Sequence, residues 1–418
     1  MDKSQLQQDM RTTRNAARAL TNLGDELVRA VLFTLAGKVD SDPGRLLEAN
    51  QRDLARMDPE DPKYDRLMLN PERLESIASD IRRVASLDSP VGHVLERRLL
   101  ENGLNLEKIT VPMGVIAVIY ESRPNVTFDV FALCFKSHNA CILKGSRDAV
   151  DSNQAAIELI HQSLIEHNIS PEVALLTPAD RAALPLVLEA VDDIDLAIPR
   201  GSRGLIDFVR DHARIPVIET GAGIVHTYVD ASADFEKARA IVTNAKARRV
   251  SVCNALDTLV IHRDWLKRLP EMLEELGGQY DTRVFADESA FLALQDYYQG
   301  PLERARKEHF GQEFLSHAMS IRTVDSLAEA LEHIYEYSSR HSEAVVAEDR
   351  SVIEKFLSGV DAAAVYANAS TAFTDGGQFG MGAEIGISTQ KLHARGPMAL
   401  PELTSYKWVI RGDGQIRP

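Results

Sequence analysis

The chain has 418 residues, of which 44% are hydrophobic and 26% are charged, as expected for a globular protein of two or three domains. Its formal net charge of −15 argues against a nucleic-acid-binding protein, because phosphate contacts require a basic surface. No apolar run approaches the roughly 18 residues of a membrane span, and the polar N-terminus lacks the apolar core of a signal peptide. Cys134, Cys141 and Cys253 show neither metal-ligand spacing nor a disulfide framework. These features predict a cytoplasmic protein with reduced thiols, no membrane contact and no metal site.

The N-terminal part of the chain has the periodicity of amphipathic helices. Between residues 5 and 90, Leu20, Leu23 and Leu27 recur at helical spacing. Pro43 and the D-P-E-D-P cluster at 58–62 interrupt the pattern, so we expect several separate helices. No residue of this region indicates a chemical function by itself.

A β-hairpin is predicted next. Segments 95–100 and 104–111 read as strands on either side of an Asn102-Gly103 turn. A hairpin that projects from an α/β domain has exposed edges, and pairing with a partner is one way to cover them.

From residue 114 onward, buried strands alternate with helices. The apolar run V-I-A-V-I-Y at 115–120 is typical of a parallel strand that is covered on both faces. The alternation predicts doubly wound parallel sheets. Further strands are expected at 140–143, 173–176, 194–198, 215–218, 258–262 and 403–411, and helices at 127–137, 149–167, 205–212, 234–248 and 326–337.

Two glycine-containing segments have the composition of ligand-binding loops. The P-R-G-S-R-G segment at 199–204 joins a strand to a helix, where Gly201 allows close backbone approach and the helix N-terminus favours an anion. A plain turn is the alternative there. Segment 375–386 contains five glycines in twelve residues, so it is expected to wrap around something rather than form a regular element.

Cys253 is the candidate nucleophile. It follows the cations Lys246, Arg248 and Arg249, and nearby positive charge lowers a thiol pKa and favours the reactive thiolate. The amide of Asn254 or the backbone N–H of Cys253 is placed to stabilise an oxyanion. The alternative is a buried structural cysteine, which is also the simplest interpretation of Cys134 and Cys141.

Several short motifs occur in order along the chain: YESRPNV at 120–126, LKGS at 143–146, PRG at 199–201, NAK at 244–246, SVCNA at 251–255, YSSRHSE at 337–343, FGMGAEIGIST at 379–389 and LHARGP at 392–397. Through these motifs the chain resembles the γ-glutamyl phosphate reductases, a family of the aldehyde dehydrogenase superfamily, over nearly its whole length. It departs from the family pattern at Val250, where proline usually precedes the S-V-C run, and at Ile224-Val225, which replaces an Asn-Cys pair.

The resemblance implies NADPH-dependent reduction of L-glutamyl 5-phosphate to L-glutamate 5-semialdehyde, with release of phosphate, in proline biosynthesis. Cys253 would form a thioester, which hydride transfer converts to a hemithioacetal and then to the aldehyde. Asn125 would donate to the oxyanion, although an Asx turn after Pro124 is the alternative. Glu219 is either structural or a proton shuttle, because an enzyme that releases phosphate does not need to activate water.

The resemblance also implies which residues bind the cofactor and the substrate. Lys144 would contact the adenosine ribose or its 2′-phosphate, and Glu384 the nicotinamide ribose, with Gly201, Ser202 and Gly221 as further cofactor-binding positions. Cations should converge on the substrate's phosphate and carboxylate. The candidates are Arg123, Lys246, Arg249 and Arg395.

The expected fold is an α/β, aldehyde-dehydrogenase-like arrangement of two doubly wound domains and a β-hairpin oligomerisation flap. The NADP-binding domain is predicted at 1–93 and 113–229, with part of 388–395. The catalytic domain is predicted at 230–387 and the flap at 94–112 and 396–418. A homodimer or a dimer of dimers is expected, with functional coupling to glutamate 5-kinase. The alternatives are another NAD(P)-dependent aldehyde dehydrogenase of this fold, or a non-catalytic nucleotide-binding protein.

Overall fold

The computed structural model describes residues 2–61 and 63–417, which form two compact units. The first unit contains the chain up to Thr220, Gly380–Gly386 and the residues from Met398 onward. The second contains Gly221–Phe379 and Ile387–Pro397. No helix in the described ranges has the length and apolar character needed to cross a membrane.

Helices make up most of the N-terminal part of the first unit, as the periodicity predicts. Asp2 and Asn70 accept backbone N–H groups at the starts of two of them, which satisfies amides that have no partner within the helix. The helices of this unit are α1 (Lys3–Leu20), α2 (Asp25–Ser41), α3 (Pro43–Leu54), α4 (Tyr64–Leu67), α5 (Pro71–Ser86), α6 (Asn125–Lys136), α7 (Val150–Glu166), α8 (Ala183–Leu188) and α9 (Arg203–His212).

A parallel four-stranded sheet lies within this unit. Its strands are β3 (Val115–Tyr120), β4 (Ala140–Lys144), β5 (Ala174–Leu176) and β6 (Leu196–Arg200), after the hairpin strands β1 (Val94–Leu99) and β2 (Asn105–Pro112). The order is β5-β4-β3-β6, and every residue of β3 is buried. The strand predicted at 215–218 is wrong: only an isolated bridge joins Val217 to Ala197, because Pro216 has no N–H to donate to a ladder.

The second unit has a seven-stranded, fully parallel sheet of order β10-β9-β11-β8-β7-β12-β13. Alternate residues of β8 pack into two apolar clusters, Leu259 into one and Val260 into the other, as expected for a sheet covered on both faces. The strands are β7 (His226–Val229), β8 (Thr258–His262), β9 (Arg283–Ala286), β10 (Leu302–Arg304), β11 (Ala318–Val324), β12 (Ser342–Val346) and β13 (Ala364–Ala367). The helices are α10 (Phe235–Ala247), α11 (Leu269–Met272), α12 (Glu274–Gly278), α13 (Glu288–Leu294), α14 (Leu327–Tyr337) and α15 (Arg350–Gly359).

The unit boundary lies after Thr220 rather than at the predicted 229/230, because His226–Val229 pairs with β8 and β12 in the second sheet. Segment 388–395 belongs to the second unit, although part of it was predicted in the NADP-binding domain. Gly380–Gly386 belongs to the first unit, although it was predicted in the catalytic domain. β14 (Gly386–Ser388) and β15 (Gly396–Met398) form a separate two-stranded sheet.

The predicted hairpin forms a three-stranded antiparallel sheet with the last strand, β16 (Thr404–Arg411), in the order β1-β2-β16. Only part of the predicted 396–418 segment joins it, because 396–398 pairs as β15. Leu99, Trp408 and Ile410 are exposed apolar residues of this sheet.

Candidate active site

Cys253 lies in a turn between α10 and β8, and its side chain is half-buried. Cys134 and Cys141 are buried instead, as predicted for core residues. Burial raises the pKa of Cys141 to about 12 and raises that of Cys134 as well, so neither thiol ionises readily. Of the three thiols, Cys253 is therefore the one that a substrate can reach.

Hydrogen bonds made by Asn254, the residue after the cysteine, hold the turn in place. Asn254 is buried, and its Nδ2 donates to the carbonyl oxygen of Thr374 at 2.9 Å. Thr371 Oγ1 donates in turn to the carbonyl oxygen of Asn254 at 2.9 Å. The amide of Asn254, one of the oxyanion donors considered from the sequence, therefore anchors the turn.

Gly223 packs directly against the backbone of Cys253. A Cβ atom at position 223 would overlap the carbonyl oxygen of Cys253, so only glycine fits without moving the turn. The backbone N–H of Gly223 donates to Glu313 Oε1 at 2.9 Å. At Gly221, a predicted cofactor-binding position, a Cβ atom would approach Thr389 Oγ1 to 2.7 Å, so that glycine is also closely packed.

Lys246 lies inside the second unit rather than at a surface open to a substrate phosphate. Its ammonium donates to the carbonyl oxygen of Leu256 at 2.8 Å, and burial lowers its pKa to about 8. The nearby carboxylate of Asp257 accepts backbone N–H groups from Val225 and Phe314, and burial raises its pKa to about 7. This geometry brings Lys246 to the base of the Cys253 turn as a structural support.

The two arginines predicted to bind substrate in this unit differ in their surroundings. Arg249 is exposed, just before the turn. Arg395 is half-buried and donates to Asp361 at 2.7 Å. Asp361 also pairs with Lys391, and these two hydrogen bonds lower the pKa of Asp361 to about 2. Arg395 is therefore fixed in place by a carboxylate.

In the first unit, Asn125 is the first residue of α6 and Arg123 is exposed just before it. Asn125 Nδ2 donates to Asp129 Oδ2 at 2.9 Å. Asp129 is half-buried, and the loss of water contact raises its pKa to about 6. The amide nitrogen of Asn125 thus acts as a donor, the function that an oxyanion contact requires.

The turn between β6 and α9 places Gly201 and Ser202 against Glu121. The backbone N–H and the hydroxyl of Ser202 both donate to the carboxylate of Glu121, at 2.8 Å each. A Cβ atom at Gly201 would lie 2.7 Å from Glu121 Oε2. The carboxylate of Glu121 therefore occupies these donors, and a phosphate oxygen is another anion that donors of this kind can bind.

Lys144 ends β4 and is buried. Its ammonium donates to the carbonyl oxygens of Gly145 and Ala179, at 2.9 and 3.3 Å. Burial lowers the pKa of Lys144 to about 8. The ammonium is thus fixed at the carboxyl end of a parallel strand, the edge where α/β sheets bind ligands.

Glu384 lies in the part of the glycine-rich segment that belongs to the first unit, and it is half-buried. Gly382 has φ +80° and packs against Leu87, and the N–H of Ile385 donates to the carbonyl oxygen of Met398 at 2.7 Å. Of the segment 375–386 predicted to be irregular, 375–385 forms no helix or strand, whereas Gly386 begins β14. Glu219 also lies in the first unit, with Oε2 3.7 Å from Arg210 Nη1.

Five of the predicted residues of the first unit lie at or just after the carboxyl ends of three neighbouring strands. Arg123 and Asn125 follow β3, Lys144 ends β4, and Gly201 and Ser202 follow β6. In the second unit, Lys246 lies in the last turn of α10, and Arg249 and Cys253 follow it in the same segment, whereas Gly221 and Arg395 belong to other segments of the sequence.

Four residues were missed by sequence reasoning: Glu121, Asp129, Gly223 and Glu313. The spacing of Asn125 and Asp129 on a helix is a signal for their contact. The role of Glu313 has no local signal, because the residue is distant in sequence from Gly223. Among the described residues, no group of three or more His, Cys, Asp or Glu side chains is arranged to bind a metal ion.

Comparison with known proteins identifies the family. No protein-family model matches the chain. It is 58% identical over 417 residues to γ-glutamyl phosphate reductase of Pelodictyon phaeoclathratiforme, covering 100% of both chains. It is 55% identical over 409 residues to that of Legionella pneumophila, covering 98% of each.

Solved structures agree with these relatives. The crystal structure of γ-glutamyl phosphate reductase from Thermotoga maritima matches with a TM-score of 0.95 and 39% identity, covering 99% of this chain and 100% of the other. An acetylating aldehyde dehydrogenase from Geobacillus thermoglucosidasius shares the fold, with a TM-score of 0.71, 17% identity and coverage of 100% and 98%. The predicted aldehyde-dehydrogenase-like α/β fold is confirmed, and the chain belongs to the γ-glutamyl phosphate reductase family.

Proposed function

We propose that the chain reduces L-glutamyl 5-phosphate to L-glutamate 5-semialdehyde with NADPH and releases phosphate, as a step of proline biosynthesis. The observation that carries the proposal is the environment of Cys253, a half-buried thiol on a turn that Gly223 and Asn254 hold in place. The other two cysteines are buried core residues.

The Cys253 thiolate attacks the acyl carbon of the acyl phosphate, and the C–S bond forms as the carbonyl oxygen becomes an oxyanion. Collapse of the oxyanion breaks the C–O bond to phosphate, which leaves with the bonding electron pair. Asn125, whose amide nitrogen donates to Asp129, stabilises the oxyanion. The product of this step is a thioester on Cys253.

NADPH, when bound, would supply the hydride that reduces the acyl carbon of the thioester to a hemithioacetal oxyanion. Collapse of this oxyanion breaks the C–S bond, releases the semialdehyde and returns the electron pair to the sulfur of Cys253 as a thiolate. The Gly201–Ser202 turn receives the phosphates of NADPH, in keeping with the carboxylate oxygens that Ser202 already contacts. Lys144 contributes a buried cation for the 2′-phosphate, Glu384 binds the nicotinamide ribose, and Gly221 provides close backbone approach.

Arg123 and Arg249, which are both exposed, and Arg395, which Asp361 fixes in place, bind the substrate's phosphate and carboxylate. Lys246 supports the Cys253 turn from inside instead of contacting the substrate. Glu219, with Arg210 3.7 Å away, has a structural role in this proposal.

The three-stranded sheet of β1, β2 and β16 joins two copies of the chain into a dimer. Its exposed Trp408 and Ile410 supply apolar area for the contact, and its edge strands have unpaired backbone groups to cover. Trp408→Glu is expected to shift the particle mass in sedimentation toward that of one chain. An unchanged mass would place the dimer contact elsewhere.

A cytoplasmic location suits an enzyme that needs a reduced thiol. The reactivity of the acyl phosphate also favours its direct supply by glutamate 5-kinase.

The reverse reaction tests the proposed function. With the semialdehyde and NADP, reduction of NADP should require phosphate or arsenate. Cys253→Ala should abolish turnover while NADPH still binds, as judged by the cofactor's fluorescence. Activity without phosphate would favour a hydrolytic aldehyde dehydrogenase in which Glu219 is the base, and turnover by Cys253→Ala would exclude the thioester.

A further inference from the structure

Asp129 and Asn125 lie one helical turn apart on α6. Asn125 Nδ2 donates to Asp129 Oδ2 at 2.9 Å, the contact that residues at i and i+4 of a helix can make. A primary amide has two N–H donors, and this bond uses one of them. A second acceptor can take the other.

The direction of the amide decides whether Asn125 helps or hinders an oxyanion. The oxygen and nitrogen ends of an amide have almost the same shape, so packing alone selects weakly between them. An ionised carboxylate only accepts hydrogen bonds, and it therefore selects the nitrogen end. An amide turned the other way would present its oxygen to the negative charge.

We propose that Asp129 is a positioning residue that fixes the amide of Asn125 with its nitrogen directed toward the oxyanion formed during acylation of Cys253. The inference deepens the proposed function, since it rests on the role of Asn125 given there.

The surroundings of Asp129 give the proposal a pH dependence. Burial is the largest influence, and it raises the pKa of Asp129 to about 6. The positive charge of Arg200 acts in the opposite direction and lowers this pKa. Asp80 and Arg83, both on α5, raise and lower the pKa respectively, and the hydrogen bond from Asn125 lowers it. Asp129 is therefore ionised at neutral pH. Below about pH 6 it becomes a protonated carboxyl, which can donate to the amide oxygen and admits the reversed orientation.

Acylation without cofactor tests the inference. The full-length protein is mixed with acetyl phosphate, and the acetyl group on Cys253 is followed by intact-mass spectrometry, with Cys253→Ala as the blank. Asp129→Ala should slow acylation about tenfold, the size expected for losing a hydrogen bond to a charged group. Asn125→Ala should slow it further, and the double variant should match Asn125→Ala because both changes remove one interaction.

Two further variants separate positioning from packing. Asp129→Asn keeps an acceptor but does not titrate, so the ratio of wild-type to variant acylation rates should fall as the pH decreases through about 6. Thr127→Val is the matched control: Thr127 is buried on the same helix and donates to Asn153 Oδ1 at 2.8 Å. It should leave acylation unchanged and combine additively with Asn125→Ala.

Additive effects of Asp129→Ala and Asn125→Ala, or a rate ratio that does not change with pH, would overturn the inference. If Asn125→Ala slows acylation and Asp129→Ala does not, the inference falls and the proposed function stands. If the protein is acylated but shows no phosphate-dependent reduction of NADP, the reductase proposal fails, and the acylation rates still decide the role of Asp129.

Discussion

Two loops that the sequence marks as functional are held by opposite kinds of contact. The Cys253 turn in the second unit is packed against Gly223 and supported by the buried ammonium of Lys246. The Gly201–Ser202 turn in the first unit is held by the carboxylate of Glu121, near the surface. Contacts of the first kind cannot be exchanged for others, whereas an anionic ligand can replace a carboxylate at the second. The proposed nucleophile is thus held by close packing, and the turn proposed to bind the cofactor is held by a carboxylate that another anion can replace.

The strictest test of how firmly the Cys253 turn is held is the substitution Gly223→Ala. The added methyl group would overlap the carbonyl oxygen of Cys253, so the turn must shift. We expect a loss of kcat/KM on the order of 100-fold, because displacements of about 1 Å have effects of this size on catalysis. Urea denaturation should show a destabilisation of about 1–3 kcal/mol.

Gly359→Ala, in the same unit, is the control. A Cβ atom at position 359 would lie 3.5 Å from Leu331 Cδ1, which is an ordinary contact distance. Near-normal activity of Gly223→Ala would mean that the turn adapts and that the two loops differ less than their contacts indicate.

A second test concerns the buried residues that support the Cys253 turn. His341 is fully buried beside Ser342, which donates to Thr374, and Thr374 in turn anchors Asn254. Burial lowers the pKa of His341 to about 4. The unfolded chain protonates this imidazole near its ordinary pKa of about 6.5, so His341 costs stability as the pH falls below that value. At pH 5 the cost is about 2 kcal/mol.

His341→Asn keeps a donor but does not titrate. The free energy of unfolding of the wild type should therefore fall relative to that of the variant by about 2 kcal/mol between pH 7 and pH 5. Asp257, whose pKa burial raises to about 7, is common to both proteins and cancels from the difference. Parallel pH profiles would show that His341 is not held neutral.

For the proposed cofactor site, Lys144→Ala should raise KM for NADPH about tenfold and KM for NADH much less, since it removes the cation proposed to contact the 2′-phosphate. The pKa of Lys144 is lowered to about 8 by burial, so the ammonium loses its charge above that pH. The preference of the wild type for NADPH should decline above about pH 8, and Lys144→Arg should retain it. Equal changes for both cofactors would contradict a contact with the 2′-phosphate.

The smallest effect is expected at the Gly201–Ser202 turn. Glu121→Gln removes the negative charge that competes for the donors of Ser202, and KM for NADPH should fall roughly two- to fivefold. A rise in KM would instead show that Glu121 supports the turn in its binding conformation. In that case, both loops would be fixed.

The sequence predicts the regular elements well where burial is continuous. The strands at 115–120 and 258–262 appear as expected, because apolar runs of this length have few alternatives. The strand predicted at 215–218 does not form, because its apolar residues favour a strand but Pro216 has no N–H to donate to a ladder.

The candidate residues were found through motifs, but their surroundings depend on contacts between distant segments. Lys246 and Arg249 both belong to the basic residues that precede Cys253. The ammonium of Lys246 is nonetheless buried and donates to the carbonyl oxygen of Leu256, whereas the side chain of Arg249 is exposed. The contacts of Gly223 with Cys253 and Glu313 are also invisible in a single sequence, since nothing local records them.

The way in which the chain passes between the two units has a consequence for its folding during translation. The polypeptide passes from one unit to the other after Thr220, Phe379, Gly386 and Pro397, and β16 near the C-terminus pairs with β2. The first unit therefore cannot be completed on the ribosome until β16 has been translated. Truncations that remove the last strand should leave an early-synthesised hairpin edge open to aggregation, even though they spare every residue proposed to act in catalysis.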